Sequence, residues 1–215
     1  MATIPLKPQY GPTLGRLLAP RWHAAPRVAR RAVIAAGAGL VVLAVAVVFA
    51  LWPATISYGG AAPFHFSYRG LYRTAPAPGQ LVRIERRAHG RLEDSFAVAP
   101  LRLPPYAGGL SAELPLYASG YIKGLSGKYS GFVLRGEGKT RVNTVPAYNV
   151  LYTATIEGRE MYGRDVLLLP ERQGVRDGVA IEMLTSPSAS SKVTSPLEVA
   201  SAGVLEKPLK TFTFG

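Results

Sequence analysis

The longest unbroken apolar run is Ala32–Trp52, AVIAAGAGLVVLAVAVVFALW, which carries no charged or strongly polar residue. A core helix of a soluble protein would show a polar position every third or fourth residue, and this run shows none. At about 1.5 Å per residue a helix of that length spans roughly 30 Å, the hydrocarbon thickness of a bilayer. The pattern therefore predicts a transmembrane helix over 32–52. Arg30 and Arg31 bound it on one side, while Trp52 and then Pro53 close it on the other. The alternative, a cleaved signal peptide, needs a shorter apolar region and a small-x-small site. Phe49, Leu51 and Trp52 stand where that site would lie. Gly37 and Gly39 sit among alanines within the span, without a strict G-x-x-x-G pairing motif.

Beyond the span the pattern changes period. Residues 53–62 (PATISYGGAA) read as a linker. Phe64, Phe66 and Tyr68 alternate with His65 and Ser67, as a half-buried strand does. Leu81–Ala88 and Leu92–Leu103 read as two strands joined across His89-Gly90, and Pro104–Gly109 as a loop. From Glu113 to Lys128 the apolar positions 114, 117, 121, 122 and 125 have helical spacing, with Pro115 near the start and Gly120 and Gly124 weakening it. Phe132–Val142, Ala147–Ile156, Met161–Leu169 and Val179–Thr185 follow as strands, separated by Glu157-Gly158 and Arg176-Asp177-Gly178 turns. A Ser/Pro loop over 186–195, a short helix near Leu197–Ala202 and an alternating strand over Thr211–Phe214 end the chain. The fold class is α+β: one N-terminal transmembrane helix, then a mainly antiparallel sheet domain over 63–215 with one or two packed helices.

Charge refines the topology. The chain carries a formal net charge of +12. Lys7, Arg16, Arg21, Arg27, Arg30 and Arg31 place half of it in residues 1–31, where no acid occurs. By the positive-inside rule the N-terminus is cytoplasmic and the domain extracytoplasmic, in the cell membrane. Prolines at 5, 8, 12, 20 and 26 make the tail 1–31 a disordered segment whose arginines touch anionic headgroups. The sequence holds no cysteine, which excludes disulfides, thiolate metal sites, cysteine nucleophiles and an acylated lipoprotein cysteine. Arginine exceeds lysine, and alanine, glycine and proline are abundant, a bias that points to a GC-rich bacterial genome.

The order of elements resembles a known family. A Phe-x-Phe-x-Tyr strand at 64–68, a central amphipathic helix, a four-strand meander with Val145-Pro-Ala-Tyr148 at a "Gly-x-x-Ala/Gly-Tyr" step, and a closing Phe-x-Phe strand are similar to the PsbP/Mog1-like sandwich. The likeness covers residues 62–215. It implies a small exported or tethered cell-envelope domain that acts as a binding or assembly module and not as a catalyst. The lipoprotein cysteine of some relatives is missing, so the transmembrane helix would replace that anchor.

Catalytic motifs fail on inspection. Gly136-Glu-Gly138-Lys139-Thr140 approaches a phosphate loop, but Val133 stands at the first glycine position and a strand follows where a helix is needed. Ser126 lacks the glycine two residues later that a nucleophile elbow requires. His65 and His89 are 24 residues apart and belong to no metal-ligand spacing, so no metal or cofactor is expected. Glu93 and Asp94 are adjacent on a strand and point to opposite faces. Two clusters remain as candidate binding residues. Arg83, Arg86, Arg87, His89 and Arg91 gather at one hairpin, opposed only by Glu85. They form either an anion-binding patch or a charged hairpin tip that guards a sheet edge. No aromatics interleave with them, so nucleic acid is not the expected partner. Tyr117 and Tyr121 lie one helical turn apart, with Tyr129, Tyr148, Tyr152 and Tyr162 downstream. They either line an amphipathic pocket or belong to the core. The leading expectation is a membrane-anchored module that engages a membrane or envelope protein, or an anionic envelope component. A small-molecule or lipid-binding domain is the alternative, and an envelope hydrolase relying on His65 or His89 is the third.

Overall fold

A computed structural model of the protein describes residue 22 and residues 26–75, 77–104, 110–170 and 176–215. Most of the tail expected to be disordered, and the loop expected at 104–109 beyond Pro104, lie outside the described residues. Helix α1 spans Arg27–Leu51. It begins five residues ahead of the apolar run because the Pro26 carbonyl accepts the first helical hydrogen bond, from the Arg30 amide at 3.2 Å. Leu40, Leu43, the valines and Phe49 are exposed on every side of it, so the helix has no polar face. Length and composition make it one candidate membrane span.

The rest of the chain forms a compact unit of its own, Ala50–Gly215. It opens with β1 (Pro53–Tyr58), where a linker was expected. Ala54, Ile56 and Tyr58 are the half-buried positions of an alternating strand, and the flanking Pro53 and Gly59-Gly60 obscure that alternation in the sequence. β1 pairs antiparallel with β2 (Phe64–Arg69), from Pro53 opposite Arg69 to Tyr58 opposite Phe64. The strand at the C-terminal end, β10 (Thr213–Phe214), pairs with the other edge of β2 and completes a three-stranded sheet.

A second, seven-stranded antiparallel sheet holds β3 (Arg73–Thr74), β4 (Val82–Ala88), β5 (Arg91–Arg102), β6 (Ser130–Val142), β7 (Val145–Ile156), β8 (Arg159–Leu168) and β9 (Asp177–Thr185). Its spatial order is β3-β4-β5-β9-β8-β7-β6. Asp177 and Gly178, expected in a turn, already pair with β5 as the start of β9. Helix α2 (Leu110–Lys128) connects β5 to β6. The helix expected near 197–202 is a single 3-10 turn at Pro196–Glu198, and a five-residue helix α3 follows at Glu206–Lys210.

Both faces of the large sheet are covered, so its central strands read as nearly continuous apolar runs. Along β9, Val179, Ile181 and Met183 enter one core with Phe64, Phe66, Phe96, Ile84 and Phe212. That core packs the small sheet against the large one, with Phe66 and Phe96 centroids 4.8 Å apart. Ala180 and Leu184, on the opposite side of the same strand, join Leu114, Ala118 and Leu125 of α2 and Val150, Tyr152, Met161 and Leu167 in a second core. The result is three layers: small sheet, large sheet, helix.

Candidate functional site

The burial of Leu114, Ala118 and Leu125 seats α2 on the large sheet. Pro115, the sixth residue of α2, lies inside the helix and removes one helical hydrogen bond near its start. The flank of α2 beside that seat carries Leu116, Gly120 and Gly124, spaced four residues apart and therefore stacked on one face. With Tyr117, Tyr121, Leu125 and Lys128 they line a groove of about 680 Å³, closed by Pro104, Glu113 and Glu182. That volume is within the range of small-molecule sites. A Cβ built on Gly120 or Gly124 would meet nothing within 4 Å. Packing inside the domain therefore does not demand glycine there, although each costs the helix about 1 kcal/mol relative to alanine. What the two glycines do is keep the groove wide.

A polar network runs from the groove wall, at Tyr121, Lys128 and Glu182, to the buried Asp165. Asp165 on β8 faces Glu182 on β9 across the strand pair. Asp165 is fully buried and accepts hydrogen bonds from the Tyr121 hydroxyl at 2.8 Å and the Tyr152 hydroxyl at 3.1 Å. Burial, and then the neighbouring Glu182 charge, push its carboxyl up to about 7. The same burial raises the Tyr121 and Tyr152 hydroxyls well above their ordinary range, with the Asp165 charge adding to it. Glu182 in turn accepts from Gln80 Nε2 at 2.6 Å and from Lys128 Nζ at 3.2 and 3.3 Å. Lys128 also lies 5.0 Å over the Tyr129 ring. Lys128 and Glu182 form a bar between the groove and a smaller concavity of about 330 Å³ that includes Gln80, Arg83 and Tyr129.

At the opposite end of the groove, in the first turn of α2, Glu113 is only 3% exposed. Arg176 donates to its Oε2 at 2.8 Å, whereas its buried Oε1 has no hydrogen-bond partner among the described residues.

The two clusters singled out in the sequence end up in different places. Tyr117 and Tyr121 both line the groove, their rings 6.4 Å apart. Tyr129 and Tyr152 stack at 5.8 Å in the adjoining core, while Tyr148 donates to Glu137 and Tyr162 packs on the other core. The arginine cluster is divided by strand alternation. Ile84 enters the core under the small sheet, so Arg83 takes the other face and lines the smaller concavity. Arg83 pairs with Glu85 at 3.0 Å. Arg86 reaches the buried Asp94 with Nε at 2.7 Å, and Arg87 bonds Glu157 and the Gly90 carbonyl. His89 and Arg91 remain exposed at the hairpin, with His89 at a positive φ of 51°. His65 lies in the small sheet beside Thr213, and the Ser126 hydroxyl donates to the Lys123 carbonyl.

Glu113, Lys128, Asp165, Arg176 and Glu182 were not selected from the sequence. One signal was present: Glu182 interrupts the apolar run Val179–Leu184, and a buried acid is more informative than a buried leucine, whereas Asp165 follows Arg159, Glu160 and Arg164 on a strand already rich in charge.

No protein-family model and no curated protein matches the chain. Solved structures do match. Cyanobacterial PsbP (CyanoP) from Synechocystis sp. PCC 6803 superimposes with a TM-score of 0.53 at 10% identity, over 77% of this chain and 94% of that one. LpqN of Mycobacterium tuberculosis also gives 0.53 at 10% identity, over 75% and 91%. The chain resembles PsbP/Mog1-like proteins in fold. The Saccharomyces cerevisiae Ran-binding protein Mog1p matches with a TM-score of 0.47 at 12% identity, over 76% and 95%. The PsbP/Mog1-like resemblance rests on fold, with nothing transferred residue by residue.

Proposed function

We propose that this chain is a membrane-anchored, extracytoplasmic binding module without catalytic activity, and that the groove along α2 is its ligand site. The observation that carries the reading is the groove itself, an open apolar trough held wide by Gly120 and Gly124, which nothing in the domain's packing requires. Helix α1 supports the anchor, and the basic residues ahead of it support an external domain. LpqN is described as involved in cell envelope biogenesis, and an envelope setting accords with that. The hairpin arginines are weaker support for an anionic partner, because Arg83, Arg86 and Arg87 already hold acids of the domain. The ligand-binding form of the module is therefore preferred over the anion-binding one.

A photo-crosslinking residue in place of Leu116 tests this in native membranes. Leu116 is 65% exposed at the groove, and Leu197, 64% exposed on the 3-10 turn and outside the groove lining, is the control. Illumination should add a discrete mass to the protein from position 116 and not from 197. No adduct at 116, or the same adduct at both, would contradict the proposal.

A further inference from the structure

The groove is uneven in its polar groups, and the unevenness specifies a headgroup. Its described lining holds two acids, Glu113 and Glu182, and one cation, Lys128. Lys128 is committed to both oxygens of Glu182. Arg176, next to the groove at Glu113, is committed to that acid and to the Pro104 carbonyl. A carboxylate or phosphate entering the groove would therefore meet no uncommitted cation among these residues, and would be desolvated beside acids. The unused capacity is an acceptor: Glu113 Oε1, buried and without a partner. A buried carboxylate oxygen left unpaired is unfavourable, and a donor arriving from outside would remove that cost. Two tyrosines, Tyr117 and Tyr121, line the same trough, and aromatic rings attract cations to their faces.

Length adds a second constraint. Glu113 and Lys128 sit at opposite ends of the groove, fifteen residues apart on one helix, which is about 22 Å at the helical rise. Between them the lining is Leu116, Gly120, Gly124 and Leu125 beside the tyrosines, with no polar group except the tyrosine hydroxyls. An elongated apolar tail matches this stretch.

Resting on the groove reading above, we infer that the ligand is a single-tailed amphiphile with a protonated amine. Its ammonium group pairs with the Glu113 carboxylate at the end of the groove, a turn of that side chain bringing the covered Oε1 to it, and its tail runs from there along Leu116 and Gly120 toward Gly124. A charge-assisted N–H···O bond of this kind is about twice as strong as a neutral one.

Three probes of equal length separate the possibilities: hexylamine, hexanol and hexanoate. Each is titrated calorimetrically into the full chain in lipid nanodiscs, with empty nanodiscs subtracted. Hexylammonium should bind about tenfold or more tighter than hexanol, the size of one charge-assisted hydrogen bond, and hexanoate should bind most weakly. Glu113→Gln should bring hexylammonium down to the level of hexanol, and Gly120→Leu, at the depth a six-carbon tail reaches from Glu113, should abolish binding of all three by filling the trough. Equal binding of amine and alcohol, or tighter binding of hexanoate, would overturn the headgroup assignment and leave the groove standing. If none of the three binds the wild-type chain, the groove reading itself falls. The comparison among probes is made on the wild type, so it remains decisive if Glu113→Gln does not fold.

Discussion

Arg86 and Arg87 are neighbours on β4 with opposite fates, and the difference is burial of the partner. Arg86 neutralises Asp94, which is 1% exposed and also accepts from the Thr185 hydroxyl; burial still raises the Asp94 carboxyl despite both donors. Arg87 meets Glu157 at the surface, where water screens the pair. Arg86→Ala should cost on the order of 1–3 kcal/mol, because it leaves a buried carboxylate without its cation. Arg87→Ala should leave the denaturation midpoint nearly unchanged, and urea titrations of both variants check the contrast. The sequence shows the arginines as one cluster. It does not show which acids lie across the strand, and that is what distinguishes them. Asp165 makes a related prediction about pH. An unfolded aspartate titrates near 4, whereas the native carboxyl holds its proton up to about 7 under the influence of burial and Glu182. Between those values the native state binds the extra proton. Stability therefore falls as pH rises from about 4 to 7 and levels off above, with a steepest slope of about 1.4 kcal/mol per pH unit. Asp165→Asn should flatten that fall, measured as unfolding free energy at pH 5, 6, 7 and 8. An unchanged profile would mean that Asp165 is ionised throughout.

At the scale of elements, α2 was legible and its purpose was not. The apolar positions 114, 117, 121, 122 and 125 gave the helix and its seat, and it starts at Leu110, three residues before the expected Glu113. Gly120 and Gly124 looked like defects because propensity counts them only as a cost; the empty space beside them appears only once the sheet is in place. Gly124→Ala should raise stability by about 0.5–1 kcal/mol, since the helix gains and nothing clashes. Gly163 on β8 is the contrasting case. It stands directly opposite Tyr152, and a Cβ there would run into the Tyr152 ring, which is fully buried and holds Asp165. Gly163→Ala should destabilise by about 1–3 kcal/mol and disturb the Asp165 titration, visible as a lower melting temperature with a changed pH dependence. The missed strand β1 has a different cause. Ala54, Ile56 and Tyr58 alternate correctly, but three positions between a proline and two glycines carry little periodic signal until β2 supplies a partner.

For the molecule as a whole, the sequence pattern identified the α+β class, the antiparallel meander and the apolar helix. The division into two sheets was hidden, because it depends on β1 and a two-residue β10 closing around β2 from distant parts of the chain. The two-faced burial of the large sheet follows from that closure and explains why β9 is apolar on both sides. Function at this scale depends on which side of the membrane the domain faces. An external groove meets envelope lipids and metabolites, whereas an internal one meets the cytoplasm. The chain has no native cysteine, so Ser188→Cys, at an exposed position in the loop after β9, is a clean probe. We predict that a membrane-impermeant maleimide labels Cys-substituted position 188 on intact cells or spheroplasts without permeabilisation. Labelling only after lysis would place the domain in the cytoplasm and contradict an extracytoplasmic binding module.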